Sequence, residues 1–217
     1  MKDNPVVLVV MDGVGLSDKL EGNAVKQAYT PNLDKLMETC PNIQLKAHGT
    51  AVGLPTDDDM GNSEVGHNAL GAGQIYAQGA KLVNESIASG RMFESKTWKW
   101  LIDDLNNNTL HFIGLLSDGN VHSHVNHVLA MIRRAKEDGV KRVALHALSD
   151  GRDVEQQSAL TYINMVEDLM NELNDDTFHS FIASGGGRML VTMDRYDADW
   201  LMVERGWNAH VKGVGRQ

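Results

Sequence analysis

Thr109-Leu-His-Phe-Ile-Gly-Leu-Leu-Ser-Asp-Gly119 and Val140-Lys-Arg-Val-Ala-Leu-His-Ala-Leu-Ser-Asp-Gly151 share one ending, Leu-Ser-Asp-Gly, at positions 116–119 and 148–151. The apolar part of each is short, as a strand should be. The 32-residue offset between the two endings is about one strand–helix–strand repeat. Between them Val125, Val128, Leu129, Ile132 and Ala135 recur at helical spacing. Working outward toward the C-terminus, Leu160, Ile163, Val166, Met170 and Leu173 form a second helical stripe, Phe178–Ala183 a further strand, and Trp200, Val203 and Trp207 a last helix. Strand and helix alternating in this way predict βαβ units around a mainly parallel sheet, an α/β fold with flanking helices.

Toward the N-terminus the pattern is less regular. Trp98, Leu101, Ile102 and Leu105 fit one helix face, and Gly61–Gly73 reads as a tight loop entering a short helix near Ser63. Ile43–His48 is expected to be a strand. Thr30-Pro31 starts a helix through Leu33, Leu36 and Met37, with Thr capping and Pro in the first turn. Pro5-Val-Val-Leu-Val-Val-Met11 reads as a strand buried on both faces. A domain transition is expected near Tyr76–Gly79, giving segments 1–77 and 78–217.

The 217 residues are 42% hydrophobic, enough to fill a core, which excludes wholesale disorder. One cysteine, Cys40, excludes a disulfide framework and fits a reducing compartment. No apolar run approaches the roughly 20 residues that span a bilayer, and no basic leader precedes the first one, so a soluble cytoplasmic protein is expected. The formal charge of −9 disfavours nucleic acid as a partner, which needs a basic surface. It leaves room for a small anionic ligand in a local arginine pocket.

In parallel sheets ligands bind beyond the carboxyl ends of the strands. The loops Asp12–Asp18, Ser117–His124, Ser149–Asp153 and Ser184–Arg195 all follow expected strands, so the chemically rich loops share one sheet end. Asp12 after its strand can hold a divalent metal, although Asp-Gly also simply makes a good turn. Met60-Gly-Asn-Ser-Glu-Val-Gly-His67 puts Ser63 at a helix N-terminus, where free N–H groups favour a phosphate. A serine hydroxyl is a weak nucleophile unless a base or metal activates it, and an N-cap role for Ser63 is the competing reading. His122, His124 and His127 have a metal-like look, but without cysteine or His-Glu-x-x-His spacing zinc is the poorer reading and one phosphate-binding histidine the better. Arg152, Arg188 and Arg195 offer forks that match phosphate and carboxylate. Asp153 can accept a proton from a hydroxyl, and Arg152-Asp153 can also be a surface pair of little value.

These segments together resemble cofactor-independent, or 2,3-bisphosphoglycerate-independent, phosphoglycerate mutase. The resemblance is carried by Val9–Gly13, Met60–His67, Gly114–His124, His146–Asp153 and Gly185–Arg195, in matching order and spacing. It implies the start of an alkaline-phosphatase-like domain in residues 1–77 and most of an inserted phosphotransferase domain in 78–217. It implies interconversion of 3-phosphoglycerate and 2-phosphoglycerate, a glycolytic isomerisation, through a phosphoserine intermediate. Two divalent metal ions would serve it, manganese foremost with magnesium or cobalt possible, and no 2,3-bisphosphoglycerate. Carried over by position, Ser63 is nucleophile and metal ligand, Asp12 a metal ligand, and Asp153 the proton acceptor. His122, Arg152, Asp153, Arg188 and Arg195 bind substrate. Family members are more than twice as long, with further metal ligands, a lysine and two arginines past Gln217. The segment alone is therefore expected to be inactive and the complete protein monomeric. A metal-dependent phosphatase or sulfatase-type hydrolase, and a non-catalytic substrate-binding fragment, are the alternatives.

Overall fold

A computed structural model describes residues 5–11, 13–103, 105, 107–193 and 197–215. By internal contacts the chain divides into Met1–Leu45 and Lys46–Gln217.

Among its described residues the first unit holds two helices, α1 (Ala24–Gln27) and α2 (Pro31–Thr39). Asn23 caps α1 by accepting from the Lys26 amide at 3.1 Å. Thr30 precedes α2 as its sequence predicts, but its hydroxyl donates to Asp34 at 3.0 Å rather than meeting a backbone amide. Pro5–Met11 does not form the expected strand, and Val6 stands 95% exposed. Ile43–His48, which runs across the division at Leu45, forms no strand either. The reason is the same for both. A strand exists only as part of a hydrogen-bonded ladder, and among the described residues no neighbouring strand pairs with either run. An apolar run records a need for burial and does not supply the partner.

The second unit begins with a 3₁₀ turn (Gly49–Val52) and α3 (Ser63–Ala72), followed by α4 (Gly79–Ala88), α5 (Arg91–Glu94) and α6 (Lys96–Asp103). Val52, Leu54 and Val65 bury together in a small core. Gln78 ties the start of α4 to this turn, its amide donating to Gly53 O at 2.9 Å and its side chain to Val52 O at 3.1 Å.

The expected alternation then follows: β1 (Leu110–Leu116), α7 (Val125–Glu137), β2 (Arg142–Ser149), α8 (Ala159–Leu173), β3 (His179–Gly187) and α9 (Trp200–His210). The three strands are parallel in the order β1-β2-β3, with Leu116 opposite Ser149 and Ser149 opposite Gly187. Side chains alternate across a strand. Val143, Leu145 and Ala147 therefore pack on one face with Ile132 and Ala135 of α7 and Val166, Leu169 and Met170 of α8. The stripes read for α7 and α8 are buried faces, apart from Leu160, which is 69% exposed, whereas Trp200 and Trp207 of α9 and Leu36 and Met37 of α2 stand exposed.

The opposite face of the sheet is polar where α9 meets it. A hydrogen-bonded chain runs from His111 to His146 (2.9 Å), to Ser184 (2.6 Å), to His210 (2.7 Å) and to Thr192 (2.9 Å). Burial holds the His146 and His210 imidazoles below their ordinary titration range, and for His146 the neighbouring His111 and His210 add to this. Thr192 sits in the left-handed region at φ 74°. Its amide donates to Met202 O at 3.0 Å, and Gly206 of α9 lies so close that any side chain there would overlap it. The loop that follows Arg188 is thus anchored to α9. No helix among the described residues is long and apolar enough to cross a membrane.

Candidate functional site

The parallel order sets the C-terminal ends of β1, β2 and β3 side by side, and their loops meet there. Asp150, directly after β2, is the centre of this meeting. Its side chain is only 2% exposed. It accepts from the Ser117 hydroxyl of the β1 loop at 2.6 Å and from Arg188 Nη1, just past β3, at 3.0 Å. The amides of Arg152 and Asp153 donate to it at 3.2 and 3.0 Å, closing its own turn. Burial pushes the Asp150 carboxyl up, but the Ser117 hydroxyl, the Asp153 amide and the Arg188 guanidinium outweigh it and hold the group below the usual carboxylate range.

Asp153 shares the same guanidinium nitrogen, Arg188 Nη1, at 2.6 Å, and His122 Nε2 lies 3.8 Å from its carboxylate. Arg188 is itself buried, and although burial alone lowers a guanidinium's proton affinity, Asp153 and Asp150 raise it above its ordinary value. Gly119 lets the β1 loop approach this close, since a Cβ there would stand 3.0 Å from Asp153 Cβ. The structure therefore brings together three of the expected residues, His122, Asp153 and Arg188. Arg152 belongs to the same turn with its side chain exposed. Arg195 and Asp12 lie outside the described residues.

Ser63 is the first residue of α3 and is exposed. The cap is Asn62, whose side chain accepts from the Val65 amide at 3.0 Å, so the N-cap reading of Ser63 gives way. His67 Nδ1 lies 2.6 Å from Ser63 O, an obligate acceptor, so this nitrogen carries the proton. At 3.3 Å from Ser63 Oγ it cannot then serve as the serine's base. Among the described residues the Ser63 hydroxyl meets His67 rather than the His122–Asp153–Arg188 group, and no three carboxylates, imidazoles or thiols converge to hold a metal. The described residues alone therefore do not make a metal site.

The histidine cluster divides by role. His124 caps α7 by accepting from the Asn126 amide at 3.1 Å, while His127 donates to Asn84 of α4 at 2.5 Å. A cavity of about 530 Å³ opens beside them, lined by Asp58, Asp59, Asp118, Asn120 and His124. Asn120 Nδ2 donates to Asp59 at 2.6 Å, tying the segment ahead of Ser63 to the β1 loop. The sequence reading missed Asp150, Ser117 and this Asp59–Asn120 link. The repeated Leu-Ser-Asp-Gly carried a signal for the first two, because both lie inside it.

A buried carboxylate–guanidinium pair, an imidazole and a second carboxylate gather at the carboxyl end of a parallel sheet, the edge where α/β proteins bind their ligands. Comparison with known proteins narrows this. The family model described as BPG-independent PGAM N-terminus matches residues 83–217, and the chain belongs to this family of 2,3-bisphosphoglycerate-independent phosphoglycerate mutases. It is 53% identical over 99% of its length to a probable 2,3-bisphosphoglycerate-independent phosphoglycerate mutase of Leptospira interrogans, covering 40% of that protein. It is 48% identical to the Ricinus communis enzyme over 98% of its length, covering 38%. Among solved structures, Leishmania mexicana phosphoglycerate mutase at low cobalt concentration superposes with a TM-score of 0.84 at 49% identity, over 95% of this chain and 38% of that one. The chain thus spans about 40% of the length of the relatives it matches.

Proposed function

We propose that this chain supplies the nucleophile and part of the substrate site for interconversion of 3-phosphoglycerate and 2-phosphoglycerate. The observation that carries the reading is the Asp153–Arg188–His122 group, found in a chain whose relatives bear that activity's name. In this reading Ser63 Oγ attacks the phosphoryl group of 3-phosphoglycerate. The bond from phosphorus to the glycerate 3-oxygen breaks, and that oxygen takes up a proton. Glycerate, retained by Arg152, Arg188 and Arg195, reorients. Its 2-hydroxyl gives its proton to Asp153 and attacks the phosphoserine, releasing Ser63. One proton enters the glycerate and one leaves it, so the two transfers balance as an isomerisation. His122 faces Asp153 and is placed to bind phosphate or steady the carboxylate.

The Ser63 and Glu64 amides at the start of α3 suit the phosphoryl oxygens, because the Asn62 cap engages Val65 instead. Ser63 still needs an activator, and His67 is ruled out by its tautomer. Two divalent ions, manganese foremost, are the proposed activators, with Asp12 and Ser63 as two of the ligands. Support for metal use comes from the cobalt named for the Leishmania structure. Residues 1–77 are proposed as the opening of a phosphatase-like domain and 78–217 as an inserted transferase domain, in keeping with a family match that begins at residue 83. A cytoplasmic monomer is the proposed setting.

Ser63→Ala, made in the protein expressed from its own gene, should abolish the labelled phosphoenzyme that forms from radioactive 3-phosphoglycerate while leaving the circular dichroism spectrum unchanged. Label persisting in the variant would place the nucleophile elsewhere.

A further inference from the structure

Three loops meet at one buried carboxylate that the reaction scheme does not use. We propose that Asp150 is a positioning residue for the transfer site, holding Arg188 in place and keeping it neutralised while Asp153 gains and loses a proton. The inference rests on the assignment of Asp153 and Arg188 made above.

Arg188 Nη1 meets Asp153 at 2.6 Å and Asp150 at 3.0 Å, leaving the other two nitrogens of the fork uncommitted by this pair. A guanidinium only 7% exposed needs a counter-ion at all times, because an unpaired buried charge is strongly unfavourable. Were Asp153 its sole partner, protonating Asp153 would strand that charge, and Asp153 would be a poor proton carrier. Asp150 removes the difficulty. It is more deeply buried than Asp153, at 2% against 15% side-chain exposure. Its four other-residue donors fix it in one orientation. It remains ionised beside Arg188 whichever state Asp153 adopts.

Asp150 also joins the loops mechanically. Ser117 brings in the β1 loop that bears His122, the Arg152 and Asp153 amides set the β2 turn, and Arg188 adds the end of β3. One side chain therefore sets the spacing among three groups assigned to the substrate. The charged and titratable groups that meet Asp153 are His122 from the β1 loop and Arg188 from the end of β3, with Asp150 of its own turn joined to it through the same guanidinium nitrogen and through the Asp153 amide.

Asp150→Asn is the discriminating variant. Its carbonyl oxygen can keep the bonds to Arg188, Arg152 and Asp153, and its amide can donate to Ser117, so the shape survives and only the charge is lost. In the protein expressed from its own gene, kcat/KM for 3-phosphoglycerate should fall by about tenfold to a hundredfold. Arg188→Ala should fall at least as far, and the double variant should match Arg188→Ala within about threefold because both changes act through one group. Effects that multiply, or an unchanged Asp150→Asn, overturn the inference.

A second arm needs no substrate. Rotation of the Arg188 guanidinium about Cζ–Nη, followed by NMR, should be slow in the parent and faster in Asp150→Asn; equal rates overturn the inference. A parent protein that forms no 2-phosphoglycerate overturns the mutase assignment instead, and the NMR arm still decides what Asp150 does. If Asp150→Asn does not fold, Ser117→Ala takes its place. It removes one of the four donors and should speed the same rotation, and no change there counts against the proposal.

Discussion

The two Leu-Ser-Asp-Gly turns begin as the same tetrapeptide and end as different structures. In the first, Ser117 is buried and turns toward its neighbour, while Asp118 is exposed at the cavity and accepts from the Tyr162 hydroxyl at 2.5 Å. In the second, Asp150 is buried and accepts from Ser117, Arg188 and two backbone amides. Strand order explains the difference. β1 lies at one edge of the three-stranded sheet, so its turn has a neighbouring loop on one side only. β2 is central, and its turn is enclosed by the ends of β1 and β3. The same acid is thus solvated at the edge and locked in the middle.

The strongest test of that contrast is to truncate each acid. Asp150→Ala leaves Arg188 with one fewer counter-ion and strips two backbone amides of their acceptor. Urea denaturation should show a loss of about 3–5 kcal/mol. Asp118→Ala removes one hydrogen bond at an exposed site and should cost about 1 kcal/mol. Equal losses would break the comparison.

Acid sharpens it further. The folded-state affinity of Asp150 for protons is depressed, so its contribution to stability is present above the unfolded-state carboxylate pKa of about 3.9 and is lost as pH falls through the lower, folded value. Stability of the parent should therefore decline more steeply below about pH 4 than that of Asp150→Asn. Parallel acid limbs in the two proteins would mean that Asp150 carries no such linkage.

The glycines differ in the opposite sense to the acids, the crowded one following the exposed Asp118 and the open one the buried Asp150. A methyl group at Gly119 would press on Asp153, so Gly119→Ala should cost about 1–3 kcal/mol and disturb the site as well. Gly151 has open space around its Cβ position but a φ of 72°. Gly151→Ala should accordingly cost only about 1 kcal/mol, through backbone strain. Thermal melts compared with 3-phosphoglycerate binding would separate the two, and a larger binding defect in Gly151→Ala would reverse the assignment. Tyr162→Phe should have the smallest effect, about 0.5–1 kcal/mol by denaturation, because the Asp118 carboxylate it releases is already exposed to water.

Much of the second unit was legible in the chain. The periods of β1, α7, β2, α8 and β3 could be read because each element buries a face within a few dozen residues of its neighbours, so pattern and packing agree. Pro5–Met11 and Ile43–His48 were misread because apolar content shows a need for a partner strand and cannot provide one. At the site, Asp153, Arg188 and His122 were visible as residue types suited to an anion. Asp150 was not singled out, because nothing local separates its turn from that of Asp118.

The sequence by itself determined the strand–helix alternation, the polar loops at the strand ends, and the side chains available to meet a phosphate. These follow from local periodicity and from functional groups that need no partner to be recognised. Only the tertiary structure decided that β2 is central, that Arg188 shares one nitrogen between Asp150 and Asp153, and that Asn120 of the β1 loop donates to Asp59. Each depends on which distant segments become neighbours. Burial and hydrogen-bond satisfaction settle that choice across the whole fold, and a single residue's neighbours in sequence do not encode it.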